Sequence, residues 1–230
     1  LLTYMEETTK PVFFAATDAV SGTELWRSDG ATGVTAMVKD IAPGAIGADP
    51  KDMHEMNGLL FFEASTSANG AELWRSDGTS SGTYLVHDTS PGTAGGNPDR
   101  LMTVPGLLFF TANDGVHGSE LWRSDGTQAG TWLVRDLRLG LSDSFPSDLV
   151  RVGDALFFVA TTSGSGRELW QSDGTEAGTR LVADLRPGSG DSNPAQARDV
   201  NGTLFFTAND GTGQGAELWV HRLTSTLVPQ

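Results

Sequence analysis

The sequence predicts an all-β fold, a five-bladed β-propeller built from four-stranded antiparallel repeats of ~48 residues, and three observations carry that expectation. A Glu-Leu-Trp triplet returns at Trp26, Trp74, Trp122, Trp170 and Trp219, with steps of 48, 48, 48 and 49. A Phe-Phe pair precedes each triplet, at Phe13-Phe14, Phe61-Phe62, Phe109-Phe110, Phe157-Phe158 and Phe205-Phe206, every step 48. Both members of each pair are large and apolar, yet neighbours on a strand point to opposite faces. Each sheet must therefore be covered on both faces. A two-sheet sandwich leaves one face of each sheet polar, whereas radial stacking of small sheets covers both. A parallel β-helix repeats in a shorter period and ranks a distant second. The Phe-, Val-, Thr- and Trp-rich segments lack helical periodicity.

The period divides the chain, read as one domain over 1–230, into repeats 1–48, 49–96, 97–144, 145–192 and 193–230. The third shows the elements most clearly. Leu101–Val104 reads as a strand and Pro105-Gly106 as its turn. Leu107–Ala112 is a second strand, and Asn113–Gly118 a loop with strong turn chemistry. Glu120–Arg123 is a third strand. Ser124-Asp125-Gly126-Thr127 opens a tight connection ending near Gly130, and Thr131–Asp136 is a fourth strand, which completes an antiparallel meander. A Gly-, Ser- and Pro-containing crossing segment leads onward. In the first repeat Met5 occupies the frame position of Met53, Leu101 and Leu149. The last repeat loses Ser-Asp-Gly-Thr, but a fourth strand fits around Thr226-Leu227-Val228. Five blades can close as one ring; an open arc of a longer ring, or one closed by a second chain, is the alternative. The opening Leu-Leu-Thr without Met suggests a processed or excised segment.

Composition narrows function. The net charge of −14 disfavours nucleic acid and anionic lipid, which gain nothing from Asp and Glu. The longest apolar run is far short of the ~18 residues of a membrane helix. With no cysteine there are no disulfides, thiolate zinc sites or iron–sulfur clusters. His54, His87, His117 and His221 do not share a frame position, and no zincin, phosphate-loop or nucleophile-elbow motif occurs. A non-enzymatic protein without a cofactor is expected.

The recurring polar residues read as structural. Glu24, Glu72, Glu120, Glu168 and Glu217 share a strand face with the Trp two residues on. Arg27, Arg75 and Arg123 lie on the opposite face, so a Glu of one repeat is expected to pair with an Arg of its neighbour. Five identical carboxylates do not suit acid–base work, which needs unlike environments. Asp29, Asp77, Asp125 and Asp173 are expected to brace the Ser-Asp-Gly turn through local N–H groups, with the glycine allowing positive φ. Asp40, Asp88, Asp136 and Asp184 are expected to cap the loop after the fourth strand. Calcium is the sharper alternative for Asp-rich loops around Asp143, Asp148 and Asp191, although none has the ligand ladder of an EF-hand.

Glu120-Leu121-Trp122-Arg123-Ser124-Asp125-Gly126-Thr127 matches the signature of the ELWxxDGT-repeat proteins, a bacterial family frequent among myxobacteria, and the chain resembles that family over essentially its whole length. Glu72–Thr79 and Glu168–Thr175 repeat the signature; the first repeat departs at Ala31 and the fifth keeps only Glu-Leu-Trp. The resemblance implies an exported or surface protein and no particular activity. The Ser-Asp-Gly turn is similar to the Asp-box turn of sialidases, a structural likeness, and the five-blade layout is similar to tachylectin-type lectins.

The reading that joins these observations is a secreted or cell-surface, lectin-like or adhesive binding module for carbohydrate, with glycan or surface protein as partner, acting as a monomer or small homo-oligomer. The alternative is a structural or protein–protein interaction domain of a larger exported protein. Loops between second and third strands are the expected binding positions: Asn113, Asp114 and His117 in the third repeat, and Asn209, Asp210 and Gln214 in the fifth. Asn and Asp suit sugar hydroxyls. The first, second and fourth repeats carry Thr17-Asp18, Ser65-Thr66 and Thr161-Thr162 there, which argues against five equal sites.

Overall fold

Antiparallel pairing organises all of the chain that the computed structural model describes, residues 11–30, 33–222 and 225–229. Among these residues there are nineteen strands in five sheets and no helix, hence none long and apolar enough to cross a membrane. The first sheet contains β1 (Val12–Asp18), β2 (Gly22–Ser28) and β3 (Thr35–Lys39). The second contains β4 (Lys51–Met56), β5 (Leu59–Thr66), β6 (Gly70–Ser76) and β7 (Tyr84–His87). The third contains β8 (Asp99–Val104), β9 (Leu107–Asn113), β10 (Ser119–Ser124) and β11 (Trp132–Arg135). The fourth contains β12 (Ser147–Val152), β13 (Ala155–Thr162), β14 (Gly166–Ser172) and β15 (Arg180–Ala183). The fifth contains β16 (Ala195–Val200), β17 (Thr203–Ala208), β18 (Glu217–Arg222) and β19 (Ser225–Pro229). In every sheet the strands lie in chain order, as a meander requires. The expected fourth strand of the last repeat is therefore present as β19, paired antiparallel to β18. Met5 lies outside the described residues.

The chain divides into two compact units. One holds the first and second sheets with residues 97–101, 112–115 and 124–131; the other holds residues 102–111 and 116–123 and everything described from 132 on, including the fourth and fifth sheets. In the first unit Phe13 and Leu25, from one face of the first sheet, pack with Leu60, Phe62, Ala64 and Trp74 from the opposite face of the second. The second unit repeats this twice. Phe109 and Leu121 meet Leu156, Phe158 and Trp170, and Phe157 and Leu169 meet Leu204, Phe206 and Trp219. Phe157 and Phe158, adjacent in sequence, thus enter separate cores and are both fully buried. Burying a side chain of this size contributes ~1.5–3 kcal/mol, so two-faced packing is the main source of stability. The fifth triplet differs: Leu218 is 46% exposed, whereas Leu25, Leu73, Leu121 and Leu169 are buried.

The Ser-Asp-Gly-Thr segment is a hydrogen-bonded joint between third and fourth strands. In the second repeat Asp77 Oδ1 accepts from the Thr79 amide at 2.8 Å and the Thr79 hydroxyl at 2.7 Å. Thr83 Oγ1 donates to the Thr79 carbonyl at 2.7 Å, so the 2.7 Å contact between Ser76 and Thr83 must use the Ser76 proton. Ser76 Oγ in turn accepts from the Gly78 amide. The same bonds recur around Asp125 and Asp173. The expected turn-bracing role is met at Asp77, Asp125 and Asp173, while the Asp29 turn lies partly outside the described residues; the Thr79 and Thr175 donors hold the Asp77 and Asp173 carboxyls below their ordinary values. The glycine closing the joint has a steric reason. A Cβ on Gly82, Gly130 or Gly178 would sit 2.0 Å from the carboxylate oxygen of Asp77, Asp125 or Asp173.

The recurring glutamates act otherwise than expected. Glu24, Glu72, Glu120 and Glu168 are fully buried, but their partners are main-chain amides of the crossing segment that leaves their own sheet, not arginines. Glu24 accepts from Ile41, Ala42 and Ala48 at 3.0–3.1 Å. Glu72 accepts from Ser90 and Gly96. Glu120 accepts from Leu137, Ser144 and the Ser144 hydroxyl, and Glu168 from Leu185, Ser192 and the Ser192 hydroxyl. A buried carboxylate needs several donors, and the crossing segment supplies them; the Ala48 and Ser144 amides are shared with the Thr23 and Ser119 carbonyls, and Glu72 Oε2 is left without a donor among the described residues. Glu217 is half-buried. The arginines do reach the next repeat, but at its turn. Arg75 Nη1 donates to the Gly126 carbonyl at 3.0 Å while its guanidinium lies 4.7 Å from the Tyr84 ring. Arg123 lies 3.6 Å over the Trp132 ring, and a Cβ on Gly174 would approach its Nη1 at 3.2 Å.

Two outcomes follow. Gly130→Ala should lower stability by ~1–3 kcal/mol in urea unfolding, because the new Cβ overlaps the Asp125 carboxylate. Gly164→Ala, with nothing within 4 Å of its Cβ position, should change it by less than ~0.5 kcal/mol. The second outcome concerns pH. Burial pushes the Glu120 carboxyl up to about 7, against the donors from Ser144 and Leu137 and with help from Asp136. A carboxyl raised in the folded state contributes stability below its unfolded pKa and loses it as pH rises through the folded one. Glu120→Gln has no such loss. Its penalty relative to the parent chain should shrink by ~2 kcal/mol between pH 5 and pH 8, read from urea midpoints; a pH-independent penalty would show that Glu120 titrates as an ordinary glutamate.

Candidate functional site

The first strands of the repeats share a distortion. In β4 the pairing with β5 runs Lys51 to Glu63 and then His54 to Phe61, so one extra residue bulges from the strand. The same shift falls between Ser147 and Val150 in β12 and between Ala195 and Arg198 in β16. At these bulges, and at the equivalent position of β8, a residue other than glycine takes the left-handed conformation: Asp52, Asp148 and Gln196, and Arg100 in β8, with φ of 51–57° and a spacing of 48. Such conformations cost ~1–2 kcal/mol and collect where a side chain is re-aimed.

In the first unit the bulge residues Asp52 and Arg100 line one open cavity of about 450 Å³. Lys51, His54 and Asp99 add polar groups to its wall, and Met53, Leu101, Ala15 and Pro50 supply the apolar part. Two of its charges are engaged locally. Lys51 Nζ lies 3.1 Å from Glu63 Oε1 across the strand pair, and Glu63 is almost wholly buried. The Glu63 hydrogen bond holds the Lys51 ammonium above its ordinary pKa. Burial pushes the Glu63 carboxyl up, with Lys51 opposing it. Arg100 Nε lies 3.4 Å from Asp99 Oδ2, and Asp99 Oδ1 accepts from the Arg100 amide. Burial lowers the His54 pKa, so its imidazole is neutral at pH 7. Asp52 makes no ion pair at contact distance and no hydrogen bond among the described residues, and its charge helps hold the Lys51 pKa up.

The loop residues expected to bind ligand are placed differently. Asn113 ends β9; its Oδ1 accepts from the Gly115 amide at 2.8 Å, and its own amide donates to the Gly96 carbonyl. Asn209 does the same in the fifth repeat, with Gly211 and the Ser192 carbonyl. Asp210 accepts from the Thr212 amide, and the Thr212 donors hold its carboxyl below its ordinary value. These are turn-forming roles. Asp114 and His117 are half-buried in their loop, and Gln214 is exposed. The other acidic loop residues also bond locally. Asp136 and Asp184 cap the Gly140 and Gly188 amides as expected, while Asp88 accepts from the Asn69 side chain. Asp143 and Asp191 accept from the Ser119 and Arg167 amides. Among the described residues no group of three or more His, Asp or Glu side chains is arranged to hold a metal ion.

The cavity residues were not anticipated from the sequence, although a signal existed. Where the second repeat has Lys51, the others have Thr3, Asp99, Ser147 and Ala195; where it has Glu63, they have Ala15, Thr111, Val159 and Thr207. The register makes these positions cross-strand neighbours. Two coordinated departures from the repeat therefore mark the wall of the cavity.

No protein-family model matches the chain, and no curated protein matches it. Solved structures do. A puromycin-hydrolysing peptidase of Mycobacterium tuberculosis is similar over 100% of this chain and 37% of its own, with a TM-score of 0.56 and 14% identity. A puromycin hydrolase is similar over 99% of this chain and 38% of its own, with a TM-score of 0.52 and 16% identity. The chain thus spans well under half the length of either peptidase. At these identities the likeness is one of fold, and the repeated sheets resemble those of propeller domains.

The Lys51–Glu63 pair gives a test of the wall. Lys51→Ala leaves a buried carboxylate without its cation and should lower stability by ~1 kcal/mol, a value kept small by the exposure of Lys51. Adding Glu63→Thr, the residue of the third and fifth repeats, should recover that loss in thermal or urea unfolding.

Proposed function

We propose that the chain is a non-enzymatic binding module, a five-bladed β-propeller in which each sheet is one blade, exported to the extracellular space or cell surface, where it binds carbohydrate without a cofactor. The observation that carries this reading is the open cavity of about 450 Å³ on the first strands. Its volume falls within the ~300–1,000 Å³ of small-molecule sites. Asp52, Asp99 and His54 offer acceptors, Lys51 and Arg100 offer donors, and Met53 with Leu101 provides the apolar surface that a sugar ring needs against its C–H face. The resemblance to ELWxxDGT-repeat proteins supports export. The site moves from the loops to the cavity because Asn113 and Asn209 are engaged in their own turns.

A glycan array, run with and without calcium, tests the reading directly. Hits are expected, and Leu101→Ala, which strips the apolar wall, should weaken binding at least tenfold, whereas Asn209→Ala should change it less than twofold. An array without a single hit sinks the carbohydrate reading. The second reading, a structural or protein–protein interaction domain of a larger exported protein, is favoured by one observation: the similar region makes up only 37–38% of each peptidase chain.

A further inference from the structure

We infer that the cavity selects a ligand carrying a primary ammonium, and that within the carbohydrate class its ligand is an amino sugar with a free amine. The inference rests on the binding reading above and on the charge pattern of the wall. The two cations each have a carboxylate: Lys51 with Glu63 at 3.1 Å, and Arg100 with Asp99 at 3.4 Å. Asp52 is the remaining lining charge; it has no ion pair at contact distance and no hydrogen bond among the described residues, and its charge acts on the Lys51 ammonium from further off. Counted with Glu63, which backs Lys51 from behind the wall, the set carries one net negative charge, with His54 neutral at pH 7 because burial lowers its pKa.

The backbone holds Asp52 in that position. It occupies the left-handed bulge of β4 with φ 51°, and Arg100 occupies the same bulge position one repeat later with φ 57°. Two equivalent distortions thus carry opposite charges into one cavity. Arg100 is tied to Asp99 and Lys51 to Glu63, so an incoming group meets two cations already in contact with carboxylates and one carboxylate, Asp52, with no cation in contact. A neutral hydroxyl donates one hydrogen bond to Asp52; an ammonium donates that bond and adds the charge attraction. N-acetylation removes the charge and adds bulk at the same atom. Met53 and Leu101 give the ring its apolar wall, which a simple alkylamine of two or three carbons would leave largely uncovered.

Titration calorimetry on the full chain with glucosamine, N-acetylglucosamine, glucose and propylamine as probes separates the possibilities. Glucosamine should bind at least tenfold more tightly than each of the other three. Asp52→Asn should abolish that preference, and Asn tolerates the left-handed conformation, so the fold should survive. Asp148→Asn, at the corresponding bulge position and outside the cavity lining, should leave binding unchanged. Equal affinity for glucosamine and glucose, or an unaltered preference in Asp52→Asn, overturns the ammonium assignment while glycan-array hits would leave the carbohydrate reading standing. Propylamine binding as tightly as glucosamine overturns the amino-sugar class. If no sugar binds at all, both readings fall together.

Discussion

A buried carboxylate that grips the backbone leaving its own sheet is the constraint on which the rest of this structure depends. Glu24, Glu72, Glu120 and Glu168 are each fully removed from solvent, and each is held by main-chain amides seventeen or eighteen and twenty-four residues further along. Neither side is viable alone. A carboxylate without donors cannot remain charged in such a place, and most of the crossing-segment amides it takes have no other acceptor among the described residues, Ala48 and Ser144 alone sharing theirs with Thr23 and Ser119. Together they fix where a chain leaving one sheet must start the next, and so where the next pair of phenylalanines enters the core. Ser144 and Ser192 add a hydroxyl to this grip in the third and fourth repeats, where Ala48 and Gly96 stand in the first and second. The grip is therefore not uniform, and its strength varies along the chain.

The joint between third and fourth strands is a second tier built on the first. Its aspartate, serine and threonines satisfy one another, leaving the Gly126 carbonyl available to Arg75 of the preceding repeat. Arg75 is steadied by Tyr84, its cross-strand neighbour. Arg123 and Trp132 form the corresponding pair one repeat later. These aromatic partners are half-exposed and would look incidental in isolation. Their function is to hold a long, flexible cation in the geometry that reaches the next turn.

Much of the fold was legible because its driving force is periodic. The Phe-Phe pairs demand two covered faces, and Phe157 and Phe158 enter separate cores as that demand requires. The turn aspartates were legible because Asp, Gly and Thr at that spacing have few other uses. The Glu partners were not. Side-chain periodicity places Glu and Arg on opposite faces and invites an ion pair between them, while the true donors are backbone amides in a segment whose side chains carry no mark of it. The site was missed for a related reason. Loops draw attention because they differ between repeats, but Lys51 and Glu63 also differ, inside strands, and only the bulge brings the positions beside them to a common wall. A one-residue bulge leaves no compositional trace, since Asp52, Arg100, Asp148 and Gln196 share nothing except their conformation.

The arginine contact to the following turn has a consequence for how such a chain can change over time. Arg75 addresses a main-chain carbonyl at Gly126, not a side chain peculiar to one neighbour. Whatever repeat comes next presents the same acceptor, provided it keeps the Ser-Asp-Gly turn. Repeats joined in this way are interchangeable parts. Unequal recombination that adds or removes a whole period leaves every surviving junction chemically matched, whereas a partial insertion breaks one outright. The near-constant step of 48 residues is the record such a filter would leave: length held rigidly at the junctions, and side chains free to diverge on the walls between them.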